Sequence, residues 1–253
     1  MGKPYSEITR ELAARIKLIM TDVDGTLLTS GEYVSQEIIE AISQLKKTGI
    51  TVGLVSGRTI PRLERVTASA GINGPIIAEN GGSAKMTAGG ELLDTGYSQQ
   101  PALEALEKLK EAYLGIIKEK PDNPDRLIDV AFDAHGIPVA DLRKHLTGIQ
   151  LLDSGYMLHL LQEGVSKGDT LKKVLERMGE ERLSPEEIMV FGDSMTDISL
   201  FELFPHSVMV INPGLPEEQV EPLRQRAEYM SSLNCEDGFI EVASHIVKLR
   251  ESK

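Results

Sequence analysis

Two aspartates that directly follow an apolar run constrain this chain more than any other feature. The run IKLIM at 16–20 has the composition of a buried strand, and it leads into DVDGT at 22–26. Asp22 and Asp24 are two residues apart, so on extended backbone their carboxylates point the same way. Two close carboxylates need a cation or a shared proton, and Mg²⁺ prefers oxygen ligands. The motif therefore predicts a metal site with a carboxylate nucleophile, although a plain turn is the alternative.

Further apolar runs of the same kind predict a doubly wound parallel sheet of the α/β class. They cover residues 50–55, 75–78, 188–191 and 207–211, and helical periodicity follows most of them. Continuous apolar runs, as opposed to alternating ones, are typical of parallel strands that are buried on both faces. Ligands of such sheets bind beyond the carboxyl ends of the strands, which is where the aspartate pair would lie.

The middle of the chain has a different pattern, since its strand candidates are shorter and more polar. A strand is predicted at 127–132 and a hairpin around Gly155. We predict that residues 83–161 form a small inserted α+β cap domain. The catalytic core would then comprise residues 1–82 and 162–253.

Composition narrows the partners that the chain can have. The net charge of −12 argues against nucleic acid and against an anionic membrane surface. A small anionic substrate stays compatible, because a metal and a lysine can reverse the field inside a cleft. No apolar run approaches the roughly 20 residues of a membrane span. With Cys235 as the single cysteine, the chain fits a reducing compartment, and we expect a cytoplasmic protein.

The residues that could carry chemistry follow predicted core strands or open the next helix. They are Asp22 and Asp24 after the first strand, Ser56 and Gly57 after the second, Asn80 and Gly81 after the third, and Asp193 and Asp197 after the fourth. Lys167 would lie in the first turn of a helix, where the helix dipole disfavours a cation, so it needs an anionic partner. Four carboxylates with one lysine would repel each other without a divalent cation. The alternatives are ordinary helix capping by Ser56 and Asp197 and an exposed Lys167.

These residues make the chain resemble the haloacid dehalogenase (HAD) superfamily of phosphohydrolases. DVDGT at 22–26 resembles the first motif of that family, and Ser56-Gly57-Arg58 resembles the second. Lys167 resembles the third motif and GDSMTD at 192–197 the fourth. The insertion is similar to the C2-type α/β cap of the family. Segments 70–82 and 154–160 resemble, more narrowly, archaeal-type phosphoglycolate phosphatases.

The resemblance implies a role for each matching residue. Asp22 would attack phosphorus to form an aspartyl-phosphate, and Asp24 would act as general acid and then as general base. Mg²⁺ would be held by Asp22, the Asp24 carbonyl and Asp193, with Asp197 supporting the ligands from outside. The phosphate group would be bound by Ser56, Gly57, Arg58, Asn80, Gly81, Lys167 and Asn212.

The expected activity is Mg²⁺-dependent hydrolysis of a small phosphorylated metabolite, with 2-phosphoglycolate as the best candidate. A sugar-phosphate phosphatase, acting on sucrose phosphate or mannosyl-3-phosphoglycerate, is the alternative, ahead of a phosphomutase or an inactive phosphate-binding protein. Arg126 and His159 are candidates to bind a substrate carboxylate. Their alternatives are a solvated Arg126 and a semi-buried structural His159. A homodimer is one expected assembly.

Thr196 departs from the family pattern, which commonly has Asn at this position. Threonine keeps a hydroxyl but loses one polar atom and the reach of the amide, so we expect weaker Mg²⁺ binding without loss of activity. Thr196→Asn should lower the Mg²⁺ concentration for half-maximal turnover by about 10-fold. Thr196→Ser keeps the hydroxyl and serves as the control. An unchanged Mg²⁺ dependence in Thr196→Asn contradicts the prediction.

Overall fold

Two β-sheets organise the chain in a computed structural model that describes residues 2–29, 31, 33–155, 157–179 and 182–252. In chain order the strands are β1 (Lys3–Pro4), β2 (Leu18–Thr21), β3 (Thr51–Val55), β4 (Ile76–Ala78), β5 (Ser83–Lys85), β6 (Ile117–Glu119), β7 (Val130–Ala134), β8 (Ile149–Asp153), β9 (Leu158–Gln162), β10 (Ile188–Gly192), β11 (His206–Ile211) and β12 (Tyr229–Asn234). The helices are α1 (Arg10–Arg15), α2 (Gln36–Lys47), α3 (Ile60–Ala70), α4 (Gln100–Ala112), α5 (Val139–Arg143), α6 (Lys167–Arg177), α7 (Ile198–Leu203), α8 (Glu217–Arg226) and α9 (Cys235–Glu251).

The larger sheet has eight strands in the order β1-β12-β11-β10-β2-β3-β4-β5. All neighbouring pairs are parallel except β4 and β5, which are antiparallel. From β2 the chain winds to β3 on one side, and it later returns to β10 on the other side. The crevice at the carboxyl ends of β2 and β10 is therefore the topological switch point, where open α/β sheets bind their ligands.

Helices cover both faces of this sheet, because its central strands are apolar on both sides. In β2, Ile19 packs into the cluster formed with α1, α2, α3 and α9. Leu18 and Met20 face the opposite way and pack with α6, α7 and α8. This two-sided burial confirms the predicted doubly wound parallel sheet.

Three strands of the larger sheet were not predicted, namely β1, β5 and β12. β1 is only two residues long, and β12 has the sequence YMSSLN, whose polar half interrupts the apolar pattern. β5 pairs with β4, and the Leu93 amide donates to the Ala84 carbonyl, so this stretch lies with the larger sheet. The division into a core and a cap at residue 83 stays a prediction.

The smaller sheet is antiparallel, with the order β6-β7-β9-β8, and α4 packs against it. The predicted hairpin is formed by β8 and β9. We call the eight-stranded sheet with the helices on its two faces the larger unit, and the four-stranded sheet with α4 and its connecting loops the smaller unit. The strand predicted at 127–132 begins later, at Val130, because the amides of residues 127–129 bind a side chain of the larger unit. No helix in the described ranges combines the length and the apolarity needed to cross a membrane.

That side chain is Glu79, which is fully buried at the end of β4. Its Oε2 accepts hydrogen bonds from the amides of Leu127 at 3.0 Å, Ile128 at 2.7 Å and Asp129 at 3.0 Å, and Oε1 accepts from Ser83 Oγ at 3.2 Å. Burial raises the pKa of the Glu79 carboxyl, and the charge of Asp129 adds to this, while the three amides oppose it. One buried carboxyl thus fixes the segment that leads into β7.

We predict a pH-dependent effect of Glu79→Gln on stability. Because the pKa of Glu79 is raised in the folded chain, folding is favoured with the proton bound, and this contribution is lost as pH rises through the folded pKa. Glutamine does not titrate and keeps one oxygen acceptor. The unfolding free energy of Glu79→Gln relative to wild type should therefore increase as pH rises from 4.5, the ordinary pKa of the carboxyl, through the raised pKa of folded Glu79, as measured by urea unfolding.

Glu64→Gln is the control for this experiment. Hydrogen bonds from Lys85 and the Gly89 amide lower the pKa of Glu64, so this carboxylate stays ionised throughout the same range. Its free-energy difference from wild type should be constant with pH. Parallel pH profiles of Glu79→Gln and wild type would overturn the prediction.

Candidate active site

A cleft of about 260 Å³ lies at the switch point, between the strand ends of the larger sheet and the smaller sheet. The larger unit lines it with Asp22, Asp24, Ser56, Gly57, Arg58, Asn80 and Lys167, and the smaller unit lines it with Arg126, Ser154, Met157 and His159, among others. A larger groove of about 590 Å³ runs between α2 and α9, but its charged residues are all exposed. We therefore place the candidate site in the smaller cleft.

Lys167, the first residue of α6, is almost completely buried between two carboxylates. Its Nζ lies 2.8 Å from Asp22 Oδ1 and 2.7 Å from Asp197 Oδ1. Burial alone would lower the pKa of Lys167, but the charges of Asp197 and Asp22 outweigh it and raise the pKa above its ordinary value. A Cβ on Gly168 would lie 2.4 Å from the Ser199 carbonyl oxygen, so glycine lets α6 approach α7 closely. The predicted need of Lys167 for anionic partners is thus met by Asp22 and Asp197.

Asp22, Asp193 and Asp197 form a buried cluster whose carboxylate oxygens lie within 4.8 Å of one another. Burial raises the pKa of Asp22 well above its ordinary value, and Asp197, Asp193 and Asp24 add to this, although Lys167 opposes it. Burial and the charge of Asp197 raise the pKa of Asp193 to about 7. Three buried carboxylates with one ammonium leave excess negative charge, so this oxygen-rich donor set fits a divalent cation.

The Asp193 carboxylate is fixed in place by two neutral donors. Thr26 Oγ1 donates to Oδ1 at 2.7 Å, and Asn212 Nδ2 donates to Oδ2 at 2.7 Å. Gly25 has φ +85°, and a Cβ there would lie 2.4 Å from Asn212 Nδ2. The glycine of DVDGT is therefore required both by its conformation and by this close approach. Thr26 was not singled out from the sequence, although it belongs to the same motif.

Asp197 has two roles in the structure, because its two oxygens bind different partners. Oδ1 binds Lys167, while Oδ2 accepts from the amides of Asp193 at 3.1 Å and Ser194 at 3.0 Å. The charged-cluster interpretation of Asp197 therefore applies, whereas its side chain makes no capping hydrogen bond to α7 and instead closes the turn that begins at Ser194. Thr196 Oγ1 lies 2.9 Å from Ser194 Oγ and lines the cleft.

Ser56, Gly57 and Asn80 line the cleft next to Asp22. Ser56 Oγ accepts from the Arg58 amide at 3.2 Å, within the loop that precedes α3. The N-cap of α3 is Thr59, so Ser56 does not cap this helix. Asn80 is 2% exposed and has φ +55°, and its buried Nδ2 has no hydrogen-bond partner in the described part of the chain. An amide donor without a partner beside the cleft is suited to an anionic ligand.

Gly81 and Asn212, which were predicted to bind phosphate, lie beside the cleft and do not form its surface. A Cβ on Gly81 would lie 2.2 Å from the Ser166 carbonyl oxygen, so this glycine serves the packing of the α6 start against β4. The side-chain amide of Asn212 donates its hydrogen bond to Asp193.

Arg58, also predicted to bind phosphate, lines the cleft and holds Asp24. Nε donates to Asp24 Oδ2 at 2.8 Å, and Nη2 donates to Asp24 Oδ1 at 2.6 Å. The Arg58 side chain is buried at 4% exposure, while the Asp24 side chain is 40% exposed, so this bidentate pair is shielded from solvent on the arginine side only. Both carboxylate oxygens of Asp24 are engaged, and the position of this residue depends on Arg58.

The smaller unit contributes a buried group of charged residues. Arg126 Nη1 donates to Asp129 Oδ1 at 2.5 Å, and Nη2 donates to Asp122 Oδ2 at 2.9 Å. His159 Nδ1 lies 2.7 Å from Asp129 Oδ2. Arg126 Nη1 also donates to the Gly57 carbonyl at 3.1 Å, so this group contacts the larger unit.

The positions of Arg126 and His159 bear on two expectations from the sequence. The solvated interpretation of Arg126 is wrong, because the residue is 4% exposed and its charge is balanced by acids on both sides in the sequence DNPDRLID. His159 is buried at 2% exposure, and it also lines the cleft. Asp122 and Asp129 were not predicted, although their spacing of four and three residues from Arg126 was a signal for them.

Comparisons with known proteins agree with this geometry. A model of the haloacid dehalogenase-like hydrolases matches residues 19–123 and 139–242. A phosphoglycolate phosphatase of Methanoculleus marisnigri is 34% identical over 233 residues, which cover 89% of this chain and 94% of that protein. A phosphoglycolate phosphatase of Methanospirillum hungatei is 32% identical over 228 residues, which cover 88% and 94%.

A similar fold is found among solved structures. The crystal structure of Thermoplasma acidophilum 0175 has a TM-score of 0.78 and 27% sequence identity, and the match covers 92% of this chain and 99% of that one. The family model spans most of the chain, and relatives above 30% identity span nearly all of it. The chain therefore belongs to the haloacid dehalogenase-like hydrolase family, and within that family it is a phosphatase.

Proposed function

We propose that this phosphatase hydrolyses a small phosphomonoester through an aspartyl-phosphate on Asp22, with Mg²⁺ as its metal. The observation that carries the proposal is the buried Asp22 at the end of β2, bound by Lys167 and flanked by Asp193 and Asp197. Phosphatases of this family generally use a divalent metal, and the aspartate cluster could hold one. Asp22, Asp193 and the Asp24 carbonyl would hold Mg²⁺, which when bound would offset the negative charge of the phosphate group.

Asp22 is placed to be the nucleophile. Its Oδ1 accepts from Lys167, and in the described part of the chain no hydrogen-bond donor reaches Oδ2. Attack by Oδ2 would form a bond to phosphorus as the ester oxygen leaves. Lys167 fixes the orientation of the Asp22 carboxylate. Its positive charge also stabilises the ionised form of this buried group. Water would then cleave the aspartyl-phosphate and release inorganic phosphate.

Asp24 would transfer the protons of both steps. It would protonate the departing ester oxygen and later take a proton from the attacking water. Arg58 acts as a positioning residue in this proposal, because it binds both oxygens of Asp24. Each oxygen of Asp24 accepts one bond from Arg58 and keeps a second lone pair, which is available for the proton that Asp24 would transfer.

The phosphate oxygens would be bound by neutral and cationic donors around Asp22. The Ser56 hydroxyl, the Gly57 amide, the Asn80 side-chain amide and Lys167 all belong to residues that line the cleft. Preorganised donors of this kind stabilise charge that develops on the transferring phosphoryl group. The partnerless Nδ2 of Asn80 supports this assignment.

The size of the cleft and the similarity to named relatives support 2-phosphoglycolate as the substrate. A volume of about 260 Å³ is below the range typical of drug-sized ligands, about 300–1,000 Å³, so a small metabolite is the better fit. The phosphoglycolate phosphatases of Methanoculleus marisnigri and Methanospirillum hungatei share about a third of their residues with this chain.

The first test is phosphate release by wild type and Asp22→Asn over a panel of 2-phosphoglycolate, sugar phosphates and nucleotides. We expect Mg²⁺-dependent release that is fastest with 2-phosphoglycolate and is abolished by EDTA. Asp22→Asn should lower kcat by at least about 10³-fold, as removal of a nucleophile does elsewhere. Asp141→Asn, on the partly exposed α5, is the matched control and should retain activity.

Three outcomes would contradict the proposal. No phosphate release from any compound by the folded protein would remove the hydrolase assignment. Release that persists in Asp22→Asn would exclude this residue as the nucleophile. A sugar phosphate as the best substrate would replace 2-phosphoglycolate.

A second prediction concerns Arg58 and the leaving group. Arg58→Lys keeps the charge but loses the bidentate geometry that holds Asp24. The comparison uses kcat/KM, which reports formation of the aspartyl-phosphate and not its later hydrolysis. For alkyl phosphates, whose leaving oxygen needs a proton, kcat/KM should fall about 10- to 100-fold. For p-nitrophenyl phosphate, whose leaving group needs no proton, kcat/KM should change by less than about 3-fold.

Steady-state kinetics with both esters measure this difference. Arg177→Lys, on the exposed face of α6, is the control and should change neither rate. Equal losses with both esters would mean that Arg58 does not act through the proton transfer of Asp24.

A further inference from the structure

We infer that His159 contacts the non-phosphate end of the substrate and selects phosphomonoesters that carry a carboxylate, while Asp129 and Arg126 position it. This inference rests on the proposed function, since it names the specificity residue of the same site. It starts from the cleft, which His159 of β9 lines together with the donors of the larger sheet that would bind phosphate.

Asp129, the partner of His159, is fully buried. Burial alone would raise the pKa of its carboxyl, but His159 and Arg126 outweigh this and lower the pKa below its ordinary value. Asp129 is therefore ionised and can only accept hydrogen bonds. It follows that His159 Nδ1 carries a proton and donates it to Asp129 Oδ2 at 2.7 Å.

His159 has a second ring nitrogen, Nε2, which does not contact Asp129. With Nδ1 bound to Asp129, the imidazole has one fixed orientation, and Nε2 is left for another partner. No described residue makes a hydrogen bond to Nε2, and His159 lines the cleft. A substrate carboxylate at Nε2 would accept a hydrogen bond from the ring, which would then donate from both nitrogens to a carboxylate on either side.

Arg126 has a positioning role in this inference. Its Nη1 is bound to Asp129 and to the Gly57 carbonyl, its Nη2 is bound to Asp122, and its buried Nε has no hydrogen-bond partner among the described residues. The bonds of Nη1 hold Asp129 and join it to the loop that follows β3. Arg126 positions His159 relative to the phosphate site through this pair of contacts.

The experiment compares two substrates of the Mg²⁺-loaded full-length protein that differ only at the far end. They are 2-phosphoglycolate, which has a carboxylate, and 2-hydroxyethyl phosphate, which has a hydroxymethyl group in its place. His159→Leu should lower kcat/KM for 2-phosphoglycolate by about 10- to 100-fold, the range expected for a hydrogen bond to a charged group. For 2-hydroxyethyl phosphate the change should be below about 3-fold.

Two further variants separate a direct contact from a structural role. His145→Leu is the matched control, because the imidazole of His145 contacts Tyr113 and does not line the cleft. It should leave the ratio of the two kcat/KM values unchanged. Asp129→Asn should reduce this ratio by itself but cause no further loss when it is combined with His159→Leu, since it acts through the histidine.

The outcomes distinguish this inference from the function on which it rests. If wild type hydrolyses neither ester, the proposed function fails and the inference fails with it. If wild type hydrolyses both and His159→Leu lowers both equally, the function stands and the inference is overturned. A selective loss with 2-hydroxyethyl phosphate would also overturn it, because His159 would then recognise a hydroxyl group.

Discussion

The ion pairs of Lys167 are the interaction on which the rest of the site depends. A single buried ammonium lies between Asp22 and Asp197, and these two acids come from opposite sides of the switch point, after β2 and after β10. Removing one member of such a buried group leaves an uncompensated charge, which costs several kcal/mol, about 3–5 in measured cases. The lysine therefore fixes the nucleophile and also joins the separate parts of the chain that build the site.

The smaller unit is attached to this centre through polar contacts that each include one buried side chain. Glu79 of the larger unit binds the amides that precede β7, and Arg126 of the smaller unit binds the Gly57 carbonyl. One contact thus runs in each direction across the boundary. Both end within one residue of a group that would bind phosphate, namely Asn80 and Gly57 itself. The side of the cleft that would select the substrate is therefore attached to the side that would bind phosphate.

Predictions from the sequence were most reliable where one strong local pattern determines the structure. The continuous apolar strands predicted the parallel sheet, and the acidic residues at the strand ends predicted the cluster of Asp22, Asp193 and Asp197. Weak patterns failed, as in β1, β5 and β12. Pairings between distant residues could not be predicted either, because periodicity does not encode which side chain a given charge will meet. Arg58 with Asp24 and Glu79 with the amides at 127–129 are of this kind.

Glu79 and Asn80 are adjacent, and both adopt positive φ angles, +53° and +55°, which non-glycine residues rarely do. Two successive residues in this region are costly unless the surroundings hold them, and here the holding groups are the amides of residues 127–129 for Glu79 and the loop after β3 for Asn80. Because Glu79 and Asn80 share one peptide bond, the contact between the two sheets and the side-chain amide beside the cleft are fixed by adjacent residues. The part of the cleft that would recognise the far end of a substrate and the donor that would bind its phosphate group are therefore joined by the shortest possible stretch of backbone.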